Sequence, residues 1–218
     1  MGLDISSATT GWAILNENNQ LLHYGYIKPK GSKFTLEERL HSAVEEVLEV
    51  CDKYKPEVVV IEEITQHMAG ASNAKTILIL AAFNRTCSYM IYRKYGIKPY
   101  KTMPATIRAD IRKFLNKKGR LSKDDIYDEV RKKYTNFLPY IMDKGKNKGM
   151  ERKENFDVAD AIACVWSWII THPEVDRTGS KSFECKKGSY QETTFFDDRD
   201  GVLHCNKCNH QIKRYSRI

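Results

Sequence analysis

The chain opens with short apolar stretches, "GLDIS", "GWAILN" and "LLHYGYIKP", with "NENNQ" as a turn between the last two. This spacing predicts a three-stranded antiparallel meander. Residues 35–54 then place apolar side chains at 36, 40, 43, 44, 47, 48 and 51, a helical stripe. Thr35 with Glu38 three residues on forms a capping-box pattern at its start. "PEVVVIEE" predicts a buried strand, "NAKTILILAAFNRTCSYMIYRKY" a long helix apolar over an unusually broad surface and ending near Gly96, and "IKPYK" a further short strand. Helices are expected around 104–116 and 123–134, joined by the basic turn "NKKGR", followed by a Lys- and Gly-rich loop over 135–154. A last apolar helix, entered through "NFDVADAIACVW", runs to about 171. A β-helix-β crossover returns its second strand parallel to an existing one, so the strand at 57–63 is placed beside the first. The result is an α/β domain, a mixed sheet with helices on both faces. After "THPEVDRTGS" the pattern turns polar and β-prone, which sets the expected boundaries at a domain over 1–172, a linker over 173–184 and a small Cys-bearing module over 185–218.

Composition adds little to this picture and charge adds more. At 218 residues, 41% hydrophobic and 29% charged, the chain has a soluble globular composition and needs no disulfides for its core. No apolar run reaches bilayer length, and the first residues lack a secretion-signal pattern, so a cytoplasmic location is expected. The net charge of +8 sits entirely in residues 101–154, which hold sixteen Lys/Arg against eight Asp/Glu; the remainder balances. A basic stretch on a neutral body is either a polyanion site or a solvated surface.

Acids stand where hydrophobic patterning would not place them: Asp4 in the first strand, Glu62 and Glu63 at the end of "VVVI", and Asp157 and Asp160 at the head of the last helix. Asp157 and Asp160, three apart, share one helix face. Glu62 and Glu63 alternate across their strand, so at most one belongs with the others. Taken singly, each has an ordinary reading: a helix cap for Asp157, a solvent-facing side chain for Asp160, a turn acid for Asp4, a strand-end surface residue for Glu62. Together, with no equally placed lysine or arginine in those motifs, the four suit a divalent cation better than ion pairing. Oxygen-rich sites select Mg²⁺ or Mn²⁺.

"GLDISSATTGWAIL", "VVVIEEI" and "DVADAIA" together resemble the RuvC family of Holliday-junction resolvases, over about residues 1–171. The resemblance implies an RNase H-like fold with a mixed five-stranded sheet. It implies hydrolysis of a DNA phosphodiester, with Asp4, Glu62, Asp157 and Asp160 as catalytic ligands of two Mg²⁺ or Mn²⁺ ions. One ion would acidify the attacking water and the other stabilise the leaving 3′ oxygen. It further implies a homodimer, because a four-way junction needs two symmetric cuts; the broad apolar helix over 74–95 could supply that interface or be buried within one chain. Basic residues near the penultimate helix would contact the junction backbone, here Arg108, Lys117, Lys118, Arg120 and Lys123. Where bacterial members tend to carry an aromatic wedge three residues after the strand Glu, this chain has Thr65, with His67 and Met68 nearby, so a relaxed or different cleavage-sequence preference is expected.

The cysteines divide into two groups. Cys51, Cys87 and Cys164 lie in apolar contexts and read as small buried residues. Cys185, Cys205 and Cys208 crowd the C-terminus, where Cys205-x-x-Cys208 is half of a zinc-ribbon pattern. A structural Zn²⁺ there would take Cys185, Cys205 and Cys208 with His210 or His204, His172 being more remote; reduced thiols in a β-rich tail are the alternative. No Gly-Lys-Ser/Thr phosphate loop is present, so no nucleotide cofactor or motor activity is expected. The leading expectation is a structure-specific endonuclease for branched DNA. Two alternatives stand beside it: a RuvC-like domain of the transposon or CRISPR effector type, and a branched-DNA binder without turnover.

Overall fold

The computed structural model describes residues 1–64 and 74–172, together with the backbone of 195–197, 202–205 and 211–213. The expected meander forms: β1 (Gly2–Ile5), β2 (Thr10–Leu15) and β3 (Leu21–Ile27) run antiparallel in succession. The turn into β3 closes through Asn16, whose side chain accepts from the Gln20 N–H at 2.9 Å, with Asn19 at φ 57°. Helix α1 (Leu36–Tyr54) begins with the capping box read from the sequence. Thr35 Oγ1 accepts from the Glu38 N–H, and the Glu38 carboxylate accepts from the Thr35 N–H at 2.8 Å. The chain then returns as β4 (Val60–Glu62), parallel to β1, and after α2 (Ala74–Tyr95) as β5 (Tyr100–Thr102), parallel to β4. The strand order is β3-β2-β1-β4-β5, the mixed five-stranded sheet of the RNase H-like class.

Strand alternation decides what each face of this sheet meets. Leu3, Ile5, Ile14, Ile27 and Ile61 point to one side, where they pack with Val44, Val47 and Leu48 of α1 and Phe83, Cys87 and Ile91 of α2. The opposite side is covered by α5 (Glu154–Thr171), with α3 (Pro104–Phe114) and α4 (Lys123–Lys133) packed outside it. Sandwiched in this way, α5 is buried on nearly every side, from Val158 to Trp168. It can lie so close because the strands beneath it carry glycines. A Cβ on Gly2 would stand 2.0 Å from the Ala161 carbonyl oxygen, and one on Gly11 2.0 Å from that of Asp157.

Cys51, Cys87 and Cys164 are buried thiols, as their contexts predict. Helix α2 buries Phe83, Cys87 and Ile91 but leaves Leu78 70%, Tyr89 58% and Tyr92 56% exposed, so its apolar residues occupy two faces. No helix among the described residues is long and apolar enough to cross a membrane. Residues His172–Ile218 form a separate unit, in which β6 (Phe195–Asp197), β7 (Val202–Cys205) and β8 (Gln211–Lys213) make an antiparallel three-stranded sheet. His204 and Cys205 belong to β7 by their backbone. Cys185, Cys208 and His210, and the side chains of His204 and Cys205, lie outside the described residues, and with them the expected zinc site. Thr65, His67 and Met68 lie outside them too.

Candidate active site

Parallel pairing of β1 with β4 sets Gly2 beside Val60 and Leu3 beside Ile61. Asp4 and Glu62, two residues beyond Gly2 and Val60, therefore project from adjacent strands onto the α5 face. Gly11 is the cross-strand partner of Asp4, and the α5 backbone at Asp157 lies directly on that glycine. The helix thus brings Asp157, and Asp160 one turn on, over the same end of the sheet. Three segments far apart in sequence gather four carboxylates at one place. Because α5 starts at Glu154, Asp157 sits inside its first turn and is no cap, and Asp160 is 8% exposed and does not face solvent. Asp4, Glu62 and Asp157 keep part of their surface open.

Electrostatics mark the group as strained. Burial, with repulsion from Glu62, Asp160 and Asp157, holds the Asp4 carboxyl well above the usual carboxylate range. Glu62 is pushed up to about 8, first by burial and then by Asp160, and Asp157 to about 6, again chiefly by burial. Asp160 is raised by burial against the pull of Lys123 and Arg108.

Lys123 corrects the expectation that no basic residue accompanies the acids. Its ammonium lies 2.8 Å from Asp160 Oδ2 and 3.9 Å from Asp157 Oδ1. Burial works against the Lys123 charge, but Asp160, Asp4 and Asp157 outweigh it and hold its pKa above the ordinary lysine value. Lys123 is the first residue of α4, and only the packing of α4 on α5 brings it here. Arg108, on α3, is near enough to bear on Glu62 and Asp160. The other expected DNA contacts stand elsewhere: Lys117 pairs with Glu129 at 2.6 Å, while Lys118 and Arg120 are exposed and without an ion pair among the described residues.

Glu63, which the family resemblance leaves out of the group, points to the opposite face from Glu62 and pairs with Arg85 at 2.9 Å, with Lys101 4.0 Å away. A residue the pattern did not single out, Asn84, is fully buried on α2. Its amide donates to the Glu62 carbonyl at 2.9 Å and accepts from Lys101 at 3.2 Å, fastening the end of β4 to α2. A lone Asn in the apolar run "AAFNRTC" was the available signal.

The donor chemistry fits a hard divalent cation: four carboxylates, acceptors only when ionised, faced by one ammonium in direct contact. Among the described residues no three such side chains already stand close enough together to enclose an ion.

The family model for crossover junction endodeoxyribonuclease RuvC matches residues 1–112, which include Asp4 and Glu62. No curated protein matches the chain in sequence. Among solved structures, Thermus thermophilus RuvC in complex with Holliday junction substrate is similar in fold, at TM-score 0.60 and 16% identity over 79% of this chain and 92% of the other. A further Thermus thermophilus RuvC structure aligns at TM-score 0.56 and 17% identity, over 79% and 93%. The yeast mitochondrial Holliday junction resolvase Ydc2 aligns at TM-score 0.51 and 14% identity, over 78% and 76%.

Proposed function

The chain belongs to the RuvC family of crossover junction endodeoxyribonucleases, and on that footing we propose that it hydrolyses phosphodiesters of four-way or similarly branched DNA at the Asp4, Glu62, Asp157 and Asp160 site. The observation that carries this reading is the convergence of four carboxylates, from β1, β4 and α5, on one end of the sheet, where burial and mutual repulsion leave them short of positive charge. These side chains would hold Mg²⁺ or Mn²⁺, which when bound acidifies the attacking water and stabilises charge on the phosphate and leaving 3′ oxygen. The protein's own residues do the rest. Gly11 and Gly2 set the depth of α5 and so the spacing of the acids. Asn84 holds the Glu62 backbone. Lys123, in contact with Asp160 and close to Asp157, would place positive charge beside a scissile phosphate. Arg108 lies near enough to add positive charge to the same approach.

Two symmetric cuts call for two copies, and the exposed Leu78, Tyr89 and Tyr92 of α2 are the apolar face we assign to a homodimer contact. The test is nicking of an immobile four-way junction in Mg²⁺ or Mn²⁺ against EDTA, with linear duplex as control and Asp160→Asn beside the parent. Paired nicks in the junction that vanish with EDTA and with the substitution are expected. Tight junction binding without cleavage in any metal would leave a branched-DNA binder and end the enzyme reading.

A further inference from the structure

The Lys- and Gly-rich stretch before α5, which the sequence pattern predicts as an irregular loop, is an ordered hairpin. Ile141 bridges Glu151, the Met142 N–H donates to the Met150 carbonyl at 2.9 Å and the Arg152 N–H to that of Tyr140 at 2.8 Å. Gly145 and Gly149 turn its tip at φ 78° and 86°, values that favour a residue without a Cβ. Its base is anchored by Asn155, which is fully buried. The Asn155 amide both accepts from the Tyr140 N–H at 2.8 Å and donates to the Tyr140 carbonyl at 3.0 Å. The Tyr140 ring also sets its position edge-on against Tyr26 of β3. Asn155 stands two residues before Asp157, so the hairpin and the candidate site share the first turn of α5.

The charges of the hairpin are sorted. Its acids are used internally or at its base: Asp143 pairs with Arg152 at 3.1 Å, and Glu151 with Arg131 at 3.0 Å, while also accepting from the Tyr127 hydroxyl. The tip lysines, Lys144, Lys146 and Lys148, are all exposed and make no ion pair among the described residues. A solvated loop needs no buried amide anchor and no internal neutralisation of its acids. With its base tied by these bonds, the hairpin leaves less backbone entropy to lose on binding an anion than an untied lysine run would.

We propose that the Tyr140–Arg152 hairpin is a second DNA-binding element of this chain, whose Lys144, Lys146 and Lys148 grip the phosphate backbone of a duplex arm. The proposal rests on the branched-DNA reading above and adds to it residues other than Arg108 and those of the turn at 117–120, where Lys117 is already paired with Glu129. Backbone contacts of this kind are independent of sequence and strongly salt-dependent.

The test is binding of a four-way junction at a series of salt concentrations, all proteins carrying Asp160→Asn to block cleavage. The parent is compared with Lys144→Ala/Lys146→Ala/Lys148→Ala and with the same three positions changed to arginine. The alanine variant should unfold at the parent's temperature, since the tip is exposed. Its slope of log Kd against log salt should be shallower by about 2 to 3, at ~0.9 for each phosphate that is no longer neutralised, and the arginine variant should keep the parent slope. An unchanged slope in the alanine variant, with the parent binding the junction, would overturn the hairpin and leave the nuclease reading standing. So would an arginine variant as shallow as the alanine one. A parent that binds no branched DNA at any salt would overturn both.

Discussion

Replacing Gly11 with alanine is the most direct way to ask whether the spacing of the acids is what the fold provides. The new methyl would stand 2.0 Å from the Asp157 carbonyl oxygen, 2.3 Å from its carbon and 2.8 Å from the Val158 nitrogen. All three are backbone atoms of α5, so no flexible side chain can yield. Ordinary contact begins near 3.4 Å, which asks the helix to retreat by about 1.4 Å at Asp157. Yet α5 is held from outside by α3 and α4 and one turn on by the same kind of contact at Gly2. Overpacking of this sort costs about 1–3 kcal/mol, and a misplacement of roughly 1 Å at a reacting centre costs about 100-fold in rate. Junction nicking at saturating metal should therefore fall about 100-fold, and the unfolding temperature by several degrees. Gly31→Ala is the control: its Cβ meets nothing within 4 Å, and both readouts should stay at the parent's values. A Gly11→Ala protein that cuts junctions at the parent rate would refute the idea that close seating of α5 on β2 sets the catalytic geometry, whatever its stability.

Two further outcomes follow from the same site. Glu62 and Asp157 have folded-state pKa values raised to about 8 and about 6, so the folded protein holds protons there that the unfolded chain releases from about pH 4 upward. The metal-free protein should accordingly lose stability as pH rises from 5 to 8, on the order of a few kcal/mol. Mg²⁺ should raise the unfolding temperature strongly at pH 8 and hardly at pH 5; equal metal stabilisation at both would contradict the assignment. Asn84→Ala removes the donor to the Glu62 carbonyl and should raise the Mg²⁺ concentration for half-maximal cleavage about 10-fold or more, as loss of a supporting hydrogen bond does at metal sites. An unchanged metal dependence in a destabilised protein would reduce Asn84 to a packing role.

Much of this architecture is legible along the chain because it rests on local signals. The Thr35–Glu38 capping box, the turn at Asn16–Gln20 and the apolar strands each depend on neighbours in sequence, and the crossover rule alone puts β4 beside β1. The four acids are visible because they break apolar runs. Other features are not visible in this way. Lys123 lies 34 positions before Asp157 in a run of charges; the family resemblance favours it and Arg108 as DNA contacts, but only the seating of α4 on α5 puts it against the acids. Gly2 and Gly11 read as ordinary strand glycines until the helix above them is known. The hairpin has no periodicity to detect, because its order comes from two glycines at its tip and an asparagine beyond its end.

The charged groups of this molecule also supply their own comparison for the candidate site. Where an acid is simply one half of an ion pair, its pKa falls: Glu129 is lowered by Lys117 and Lys132, and Asp52 by Lys94 and Tyr95. Glu154, a buried residue, still ends lower than usual, because against the cost of burial stand Lys28, a backbone hydrogen bond and Lys153 together. At the candidate site the balance has the opposite sign. Lys123 is in direct contact with Asp160 and Arg108 is close by, yet Asp4, Glu62, Asp157 and Asp160 are all raised. One ammonium cannot neutralise four desolvated carboxylates, and a cluster serving only to fasten α4 to α5 would need no more than one of them. Ionising all four without a bound cation is a cost to the fold, which is why they hold protons to higher pH. Full ionisation is favoured once more positive charge arrives than the chain itself places there, which is the property a cation-binding centre requires and a structural salt bridge does not.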